Sequence, residues 1–398
     1  MRAIEKDICI AGGGPAGMIL GLLLARAGAS VLVLEQHTDF AREFRGEVLM
    51  PRFTKLFQEL GLSHLIETNT HLKLTGAEMF FCDRQIVKID FTKVSPEIPY
   101  ALWMPQPILL QALHDEGKKY PSFDIWFDSS AKSLIQDNSK TVGLNVRRGH
   151  EDLEVRAKIT VGTDGRFSTT RRSGNFKRSY SEHQFDIVWF TIPKPANYVN
   201  TLRFFLSRPR NLLALPKYPD SIQCGLPVDK GEFARYKKEG IESIRKVLFK
   251  CNPLVREFAR DLKDFSGFNV LQAELDLIEN WAQDGLILVG DSAHTMSPVG
   301  AVGVSIAAET AAVAASVIQD CLERKDYSVK ALSRVQEIRE SEVRAIHKIQ
   351  RAFSGLLLTR NVFLRLLLPI ILPIVLKLPF TRRFQQRLAI LDKPIYAS

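Results

Sequence analysis

A chain of 398 residues is long enough for two or three domains, and 45% hydrophobic with 25% charged residues is an ordinary globular composition. The net charge of +10 suits an anionic partner, but the basic residues are scattered and form no nucleic-acid motif, which makes nucleic acid the least favoured one. Five widely spaced cysteines without a C-x-x-C pair indicate neither a disulfide framework nor a zinc site. We therefore expect a cytoplasmic protein, without a signal peptide because Asp7 and a glycine turn stand where an apolar run is needed.

The start of the chain predicts a β–α–β unit. Lys6–Ala11 has the pattern of a buried strand, about Met18–Ala27 that of an apolar helix, and Ser30–Leu34 that of a second strand. The turn Gly12-Gly13-Gly14-Pro15-Ala16-Gly17 joins the first strand to the helix. A G-x-G-x-x-G turn in this setting indicates a site for an ADP-containing dinucleotide, either NAD or FAD.

Each part of this unit has a distinct expected role. Gly12 permits a tight turn, Gly14 lets the backbone approach a pyrophosphate, and Gly17 lets the helix pack closely on the strand. The helix N-terminus, where Pro15 and Ala16 lie, offers amide donors and partial positive charge to the phosphates. Glu35, at the end of the second strand, is placed to accept hydrogen bonds from ribose hydroxyls.

The next segment leaves this domain and returns to it. The loop His37–Glu47 contains Arg42 and Arg45, which either neutralise a pyrophosphate or reach a flavin, or are simply solvated. Short strands from about residue 71 to residue 100 indicate an excursion into a β-rich unit. Met104-Pro105-Gln106-Pro107 then opens a helix.

A second glycine–acid turn follows a group of predicted strands. Ser122–Asp128 is a strand, Ala131–Gln136 and Thr141–Arg147 form a hairpin, and Lys158–Gly162 leads into Thr163-Asp164-Gly165-Arg166. An acid–glycine turn at the end of an apolar strand predicts a second loop facing the same ligand, although Asp-Gly alone is an ordinary turn marker.

The stretch from Tyr180 to about Val270 predicts a large β-rich block with one amphipathic helix, Glu239–Lys250. Trp189, Phe190, Phe204 and Phe205 lie in its strands, where they either fill the core or line a ligand pocket.

A third glycine–acid turn ends the strand Leu286–Gly290 at Asp291, which is placed to accept from a sugar or polyol hydroxyl. A glycine-rich segment, Pro298-Val299-Gly300-Ala301-Val302-Gly303, precedes a helix of about Ile306–Leu322, whose N-terminus after Gly303 is a second anion- or carbonyl-facing site. His294 is expected to be a packed neighbour of the site, with a catalytic base as the alternative.

The tail is predicted to be helical from Lys330. Its charge-free run Leu366–Leu376 is too short to span a bilayer and contains two prolines. Residues 362–383 therefore either cover the second domain as a packed helix or rest on a membrane surface beside basic residues.

The three glycine-and-acid turns together resemble those of the flavoprotein aromatic hydroxylase family, the single-component FAD-dependent monooxygenases with the para-hydroxybenzoate hydroxylase fold. Gly12-x-Gly14-x-x-Gly17 with Glu35 is similar to the family's ADP-binding unit. Asp164-Gly165 is similar to its middle motif, and Gly290-Asp291 to its third, whose Asp meets the ribityl chain. A ligand that touches all three turns must extend beyond its ADP half, which favours FAD.

The resemblance implies the remaining cofactor contacts. Arg45 and Gln106 stand where the family places flavin contacts, and Ala131 where a backbone group meets adenine. Ser305 and Glu309 stand where the family usually has Asn and often Asp. The implied cofactor-binding set is Gly12, Gly14, Pro15, Ala16, Gly17, Glu35, Arg45, Gln106, Ala131, Asp164, Gly165, Asp291, Pro298, Gly300, Ala301, Gly303 and Ser305.

The fold implied is α/β, with a discontinuous Rossmann-like FAD-binding domain, an inserted β-sheet substrate domain and a C-terminal helical segment. The expected FAD-binding domain comprises residues 1–70, 101–179 and 275–345. Residues 71–100 and 180–274 would form the substrate domain, and residues 346–398 a helical cap.

The chemistry implied by the resemblance is hydroxylation of a hydrophobic, aromatic or polyketide-like molecule with NADH or NADPH and O2, through a flavin C4a-hydroperoxide. The alternative is a reductase or desaturase of an isoprenoid-like lipid, which the apolar tail favours. A halogenase is less favoured, because Val188 and Phe190 occupy the tryptophan places of the W-x-W-x-I-P signature. No feature favours a non-catalytic flavin-binding protein.

Overall fold

A computed structural model describes residues 3–41, 47–81, 84–207, 209–357, 367 and 369–374, and for Ala3, Gln184, Leu356 and Leu357 the backbone alone. The fold is mixed α/β, as predicted. The strands are β1 (Ala3–Ala11), β2 (Val31–Leu34), β3 (Val48–Leu49), β4 (Leu72–Leu74), β5 (Gly76–Phe81), β6 (Arg84–Asp90), β7 (Ala101–Trp103), β8 (Phe123–Trp126), β9 (Ser129–Asp137), β10 (Lys140–Arg148), β11 (Glu151–Gly162), β12 (Arg178–Pro193), β13 (Leu202–Leu206), β14 (Leu212–Lys217), β15 (Ser221–Val228), β16 (Asn269–Ile278), β17 (Ala282–Gln283), β18 (Leu286–Leu288) and β19 (His294–Thr295). The α-helices are α1 (Pro15–Arg26), α2 (Pro51–Glu59), α3 (His64–Glu67), α4 (Phe91–Val94), α5 (Gln106–Gly117), α6 (Thr169–Ser173), α7 (Glu232–Glu239), α8 (Ile241–Cys251), α9 (Arg256–Asp261), α10 (Gly303–Arg324), α11 (Val329–Leu332) and α12 (Arg334–Leu357).

The first sheet has the strand order β17-β18-β11-β1-β2-β8, and β10 and β9 extend from β11 as an antiparallel meander. Strands β18, β11, β1, β2 and β8 run parallel. Their apolar runs are buried because helices α1, α5 and α10 cover the sheet with a continuous hydrophobic core. Parallel strands align their carboxyl ends along one edge, so the turns that follow them meet there.

The second sheet also has eight strands, in the order β19-β16-β12-β15-β14-β13-β5-β6. Alternate residues along its strands point to opposite faces. Val188, Phe190, Leu212 and Ala214 pack on one face against the core formed with α7, α8 and α9. The opposite face carries Phe185, Ile187, Trp189, Leu213 and Leu215, which pack with Val299 of the third glycine turn. The second sheet therefore turns an apolar face toward the first.

A small third sheet has the strand order β3-β7-β4. Val48 pairs with Trp103, and both belong to a core cluster that also contains Met296 and Val302 of the third turn. Leu215 of the second sheet packs against the same cluster. This small sheet therefore joins the glycine turns to the apolar face of the β-rich sheet.

The helix predicted at Glu239–Lys250 is wrong in its bounds. The structure has two helices, α7 and α8, that break at Gly240, whose φ of +89° is a conformation that L side chains rarely adopt. The third-turn helix is also longer than predicted, since α10 begins at Gly303. The hairpin of β9 and β10 is confirmed.

Within the described residues, α10 alone is long and apolar enough to cross a membrane by composition, and 78% of that stretch is buried inside the protein. Burial on this scale is typical of a core helix. Most of the predicted apolar tail at 362–383 lies outside the described residues. Of that tail, residues 369–374 are helical and expose Ile370, Ile371 and Ile374.

Candidate functional site

The three glycine-and-acid turns meet at one edge of the first sheet. Ala11 at the end of β1 pairs with Gly162 at the end of β11, and Gly162 pairs with Leu288 at the end of β18. The Thr163 amide donates to the Ala11 carbonyl at 2.8 Å, and the Val289 amide to the Gly162 carbonyl at 2.9 Å. Turns that are some 130 to 150 residues apart in sequence thus form one continuous edge.

The glycines of the first turn stand where the structure has no room for a side chain. Gly12 has a φ of +109°, and a Cβ atom on it would lie 2.5 Å from the Thr163 carbonyl oxygen. A Cβ on Gly17 would lie 2.0 Å from the Gly12 carbonyl oxygen. The first turn therefore packs against the second turn and against its own helix. The positive φ of Gly12 agrees with the tight turn expected there, and the close contact at Gly17 with the close helix packing expected there.

The helix that follows presents an open N-terminus. Helix α1 begins at Pro15, and Gly14 caps it with no side-chain hydrogen bond among the described residues. A helix leaves its first amide groups without partners in the helix, so those around Ala16 are donors suited to phosphate. Gly14 has a φ of −76°, which any residue adopts, so backbone strain does not require a glycine there.

Glu35 is hydrogen-bonded to the first turn. It is 2% exposed, and its carboxylate accepts from the Gly13 amide at 3.1 Å and from the His37 amide at 3.0 Å. The Ser129 amide donates to the Glu35 carbonyl at 2.8 Å, which sets the start of β9 beside it. Ala131, two residues further, packs against the apolar cluster at the ends of β1 and β2. The residues expected at the adenosine end are therefore neighbours.

The Asp164 carboxylate makes several hydrogen bonds within the second turn. Its carboxylate accepts from the Thr169 and Thr170 amides at 2.7 and 2.9 Å and from the Ser168 hydroxyl at 2.5 Å. The Ser292 hydroxyl in turn accepts from the Gly165 amide at 2.9 Å. Asp164 thus fixes the start of α6, and its turn is bound to the third turn.

The third turn contains a partly exposed acid, Asp291, and lies beside the first turn. The Asp291 side chain is 32% exposed, with the Arg166 guanidinium at 3.5 Å. A Cβ on Gly290 would lie 3.1 Å from the Cβ of Ala16, so the third turn touches the start of α1. Asp291 is therefore placed to accept from a ligand that also meets the α1 N-terminus.

Strained backbone leads from this turn into α10. Gly300 and Ala301 have φ values of +82° and +52°, and the Ala301 amide donates to the Pro298 carbonyl at 3.1 Å. Gly303 is the first residue of α10. The Ser305 hydroxyl is fully buried in its first turn, and it has no hydrogen-bond partner in the part of the chain that the structure describes.

Gln350 of α12 holds this turn in place and was not predicted. It is fully buried; its side-chain amide donates to the Ser297 and Val299 carbonyls at 2.8 Å each and accepts from the Ser297 amide at 3.1 Å. Gln106, the first residue of α5, is buried as well. Arg45 and Arg42 lie outside the described residues.

A buried ion-pair cluster connects α10 to its neighbouring helices. Glu309 accepts from Arg52 at 2.6 and 2.7 Å and from Arg339 at 2.7 Å, and both arginines also contact Glu342. Burial alone would lower the pKa of Arg52, but Glu309 and Glu342 outweigh it and raise the pKa. The four charges balance, and together they connect α2, α10 and α12.

His294 has the packed environment that the sequence favoured. Its Nε2 shares a hydrogen bond of 3.0 Å with the Thr310 hydroxyl, and its ring lies 4.9 Å from that of Trp281. Complete burial, with His347 and Arg339 nearby, lowers the pKa of His294 to about 3. A fully buried histidine that is hydrogen-bonded to Thr310 and packed beside Trp281 has the surroundings of a packed neighbour of the site.

This geometry fits FAD. The Gly12 and Gly17 packing and the open α1 N-terminus suit a pyrophosphate, and Asp291 stands further along the same edge. At the α10 N-terminus, the buried Ser305 hydroxyl has no hydrogen-bond partner among the described residues and can therefore bond to a ligand.

Comparisons with known proteins agree with this geometry. The 6-methylpretetramide 4-monooxygenase of Streptomyces rimosus is 28% identical over 396 residues, which cover 98% of this chain and 94% of that one. A digeranylgeranylglycerophospholipid reductase of Methanocella arvoryzae is 23% identical over 86% of this chain and 85% of its own. The fold is that of p-nitrophenol 4-monooxygenase PnpA from Pseudomonas putida, with a TM-score of 0.81 at 18% identity over 98% of this chain and 99% of the other.

A family model supports the same assignment. The model described as FAD binding domain matches residues 5–330, which include all three glycine turns and the whole second sheet. The resemblance to the flavoprotein aromatic hydroxylases is thereby confirmed, and the chain belongs to the FAD binding domain family.

Proposed function

We propose that this FAD-dependent monooxygenase takes electrons from NADH or NADPH and hydroxylates a hydrophobic, aromatic or polyketide-like small molecule. The observation that carries the proposal is the meeting of the third glycine turn, at Val299, with the apolar face of the second sheet. Full-length similarity to a monooxygenase that acts on 6-methylpretetramide supports the polyketide-like class.

The chain's residues would hold the cofactor along the edge of the first sheet. The α1 amides would bind the pyrophosphate, Glu35 the ribose and Asp291 the ribityl chain. The segment Pro298–Gly303 and Ser305 would face the flavin ring. Bound FAD supplies the activation of O2, so the protein has to position the substrate and exclude water.

The apolar face described above would form the wall of the substrate pocket. Phe185, Ile187 and Trp189 are buried there, and Leu213 and Leu215 pack against them. Such a wall, set against the flavin-facing turn, selects a flat hydrophobic molecule. We also propose the domain boundaries predicted from the sequence, with the second sheet as the substrate domain.

A reductase of an isoprenoid-like lipid is the second candidate, because the Methanocella relative carries that name and the apolar tail would suit a lipid surface. Halogenation has less support, because both residues in the signature's tryptophan places, Val188 and Phe190, face the core with α7–α9.

Isotope labelling tests the choice between them. The purified protein should release FAD on denaturation, and its NAD(P)H oxidation should rise when the substrate is added. Reaction under oxygen-18 gas should place one labelled atom in the product. A product without the label would overturn the hydroxylase and favour the reductase.

Peripheral membrane contact through residues 362–383 is a separate proposal. The exposed isoleucines of the described part, at 370, 371 and 374, support it. The full chain should sediment with anionic phospholipid vesicles, and a chain ending at Gly355 should not. Equal sedimentation of both forms would make this segment a packed cap.

A further inference from the structure

Three polar side chains from separate segments meet beside the proposed substrate pocket. Glu47 comes directly before β3, and its carbonyl accepts from the Met104 amide at 2.9 Å, so it lies beside Trp103 at the end of β7. The Lys217 ammonium, at the end of β14, lies 5.8 Å from the centroid of the Trp103 ring. We call Glu47, Trp103 and Lys217 the polar triad.

Two atoms of the polar triad are buried and lack hydrogen bonds. Trp103 is 2% exposed, and neither its Nε1 nor the Oε2 of Glu47 has a hydrogen-bond partner among the residues described. A buried polar group without a partner is costly, and proteins keep such groups mainly where a ligand or water completes them.

The charges of the polar triad affect one another. Burial raises the pKa of the Glu47 carboxyl, and the Lys217 ammonium and the nearby Trp103 N–H only partly oppose the rise. Trp103 is thus close enough to favour the carboxylate without forming a well-aligned hydrogen bond to it. Lys217 makes no ion pair with any residue that the structure describes. One N–H donor and one carboxylate oxygen therefore have no hydrogen-bond partner among the described residues, and one ammonium group there has no ion pair.

The polar triad continues the apolar wall of the pocket. Leu213, Leu215 and Lys217 alternate along β14 and so point to the same face of the second sheet. Leu215 packs with Trp103 and with Ala301 of the third turn in one cluster. A molecule lying along the wall beside the third turn would therefore reach the polar triad with one end.

We infer that Glu47, Trp103 and Lys217 are specificity-determining residues that bind an ionisable hydroxyl of the substrate, that of a phenol or of an enolised 1,3-dicarbonyl compound. Trp103 Nε1 and Lys217 Nζ donate to its oxygen, and one proton is shared between that oxygen and the Glu47 carboxyl. An ether in place of the hydroxyl loses the shared proton and leaves Glu47 without a partner. This inference rests on the proposed function, since it gives that pocket its polar end.

The test compares two probes on the FAD-loaded enzyme by equilibrium dialysis, 2-naphthol and its methyl ether 2-methoxynaphthalene. The wild type should bind 2-naphthol about tenfold or more tightly than the ether, as expected of a charge-assisted hydrogen bond. Lys217→Met and Glu47→Gln should each weaken 2-naphthol binding about tenfold and change ether binding less than about twofold. Lys230→Met, at an exposed lysine next to α7, is the matched control and should change neither.

Equal affinity of the wild type for both probes would overturn the inference, and so would equal losses for both probes in the variants. Trp103→Phe is a third variant, and its binding data count only if it keeps the wild-type melting temperature. Lys217→Met changes a half-buried side chain, so it tests the inference whether or not Trp103→Phe folds. A protein that purifies without FAD would refute the proposed function. Comparing the binding of 2-naphthol and its methyl ether to that protein would still test the polar triad separately.

Discussion

The Thr163 hydroxyl donates to the Gly12 carbonyl at 2.7 Å and lies 2.9 Å from the Ala11 carbonyl. One side chain of the second turn thus binds the backbone of the first turn at the point where β1 ends. The same hydroxyl oxygen would lie 2.6 Å from a Cβ atom on Gly17. The contact between the two turns leaves no space for any side chain at that position.

Gly17→Ala should therefore abolish FAD binding. The added methyl meets backbone at 2.0 Å, which cannot move without shifting α1 from β1. We expect at least a tenfold loss of bound FAD and a lower melting temperature, measured by flavin content and thermal unfolding. Gly267→Ala, where a Cβ has open space, is the control. Normal FAD content in Gly17→Ala would show that the turn adopts another packing.

Gln350→Leu should weaken FAD binding by acting on the Ser297–Val299 turn. The change removes three hydrogen bonds and leaves buried backbone groups unsatisfied, at about 1–3 kcal/mol for each group. The measurements are the dissociation constant of FAD and the visible spectrum of the bound flavin. Gln319→Leu removes an exposed glutamine of α10 and should alter neither. An unchanged spectrum and affinity in Gln350→Leu would separate this turn from the flavin.

Glu309→Gln should destabilise the fold by about 3–5 kcal/mol, because it leaves Arg52 and Arg339 as buried, poorly compensated charges. Urea unfolding measures the free energy change. The exposed Lys55–Glu97 pair offers a control, Glu97→Gln, which should leave the unfolding midpoint unchanged. A midpoint in Glu309→Gln equal to that of the wild type would contradict the structural role of the cluster.

His294 should affect stability against pH rather than the pH dependence of catalysis. Its pKa is lowered to about 3 in the folded protein from an ordinary 6.5, so the folded state resists protonation. The stability it contributes is complete above about pH 6.5 and falls as the pH is lowered below that value. His294→Gln should reduce the loss of melting temperature between pH 7.5 and pH 5.5. A pH–rate profile of kcat/KM that loses a limb in this variant would instead make His294 a catalytic base.

The sequence predicted the glycine turns of the site but not the distant residues that hold them in place. Glycine turns after apolar strands are local patterns, so Gly12, Gly17 and Asp291 could be placed from the motif and the parallel-sheet rule alone. Gln350 and Arg52 meet their partners 51 to 290 residues away along the chain, and nothing next to them in sequence marks that contact. The sequence also did not predict that the Asp164 carboxylate accepts from the first amides of α6, because an Asp-Gly after a strand looks the same with or without that contact.

The alignment of β1, β11 and β18 along one sheet edge has a consequence for biosynthesis. The site contains residues 12, 163 and 291, so it is complete only after some 290 residues have been made. A nascent chain that stops earlier lacks the third glycine turn. Contacts this distant in sequence form late in folding. FAD would then bind a finished molecule and withdraw it from the pool that can still unfold. Cofactor uptake would thereby mark which copies have folded to completion.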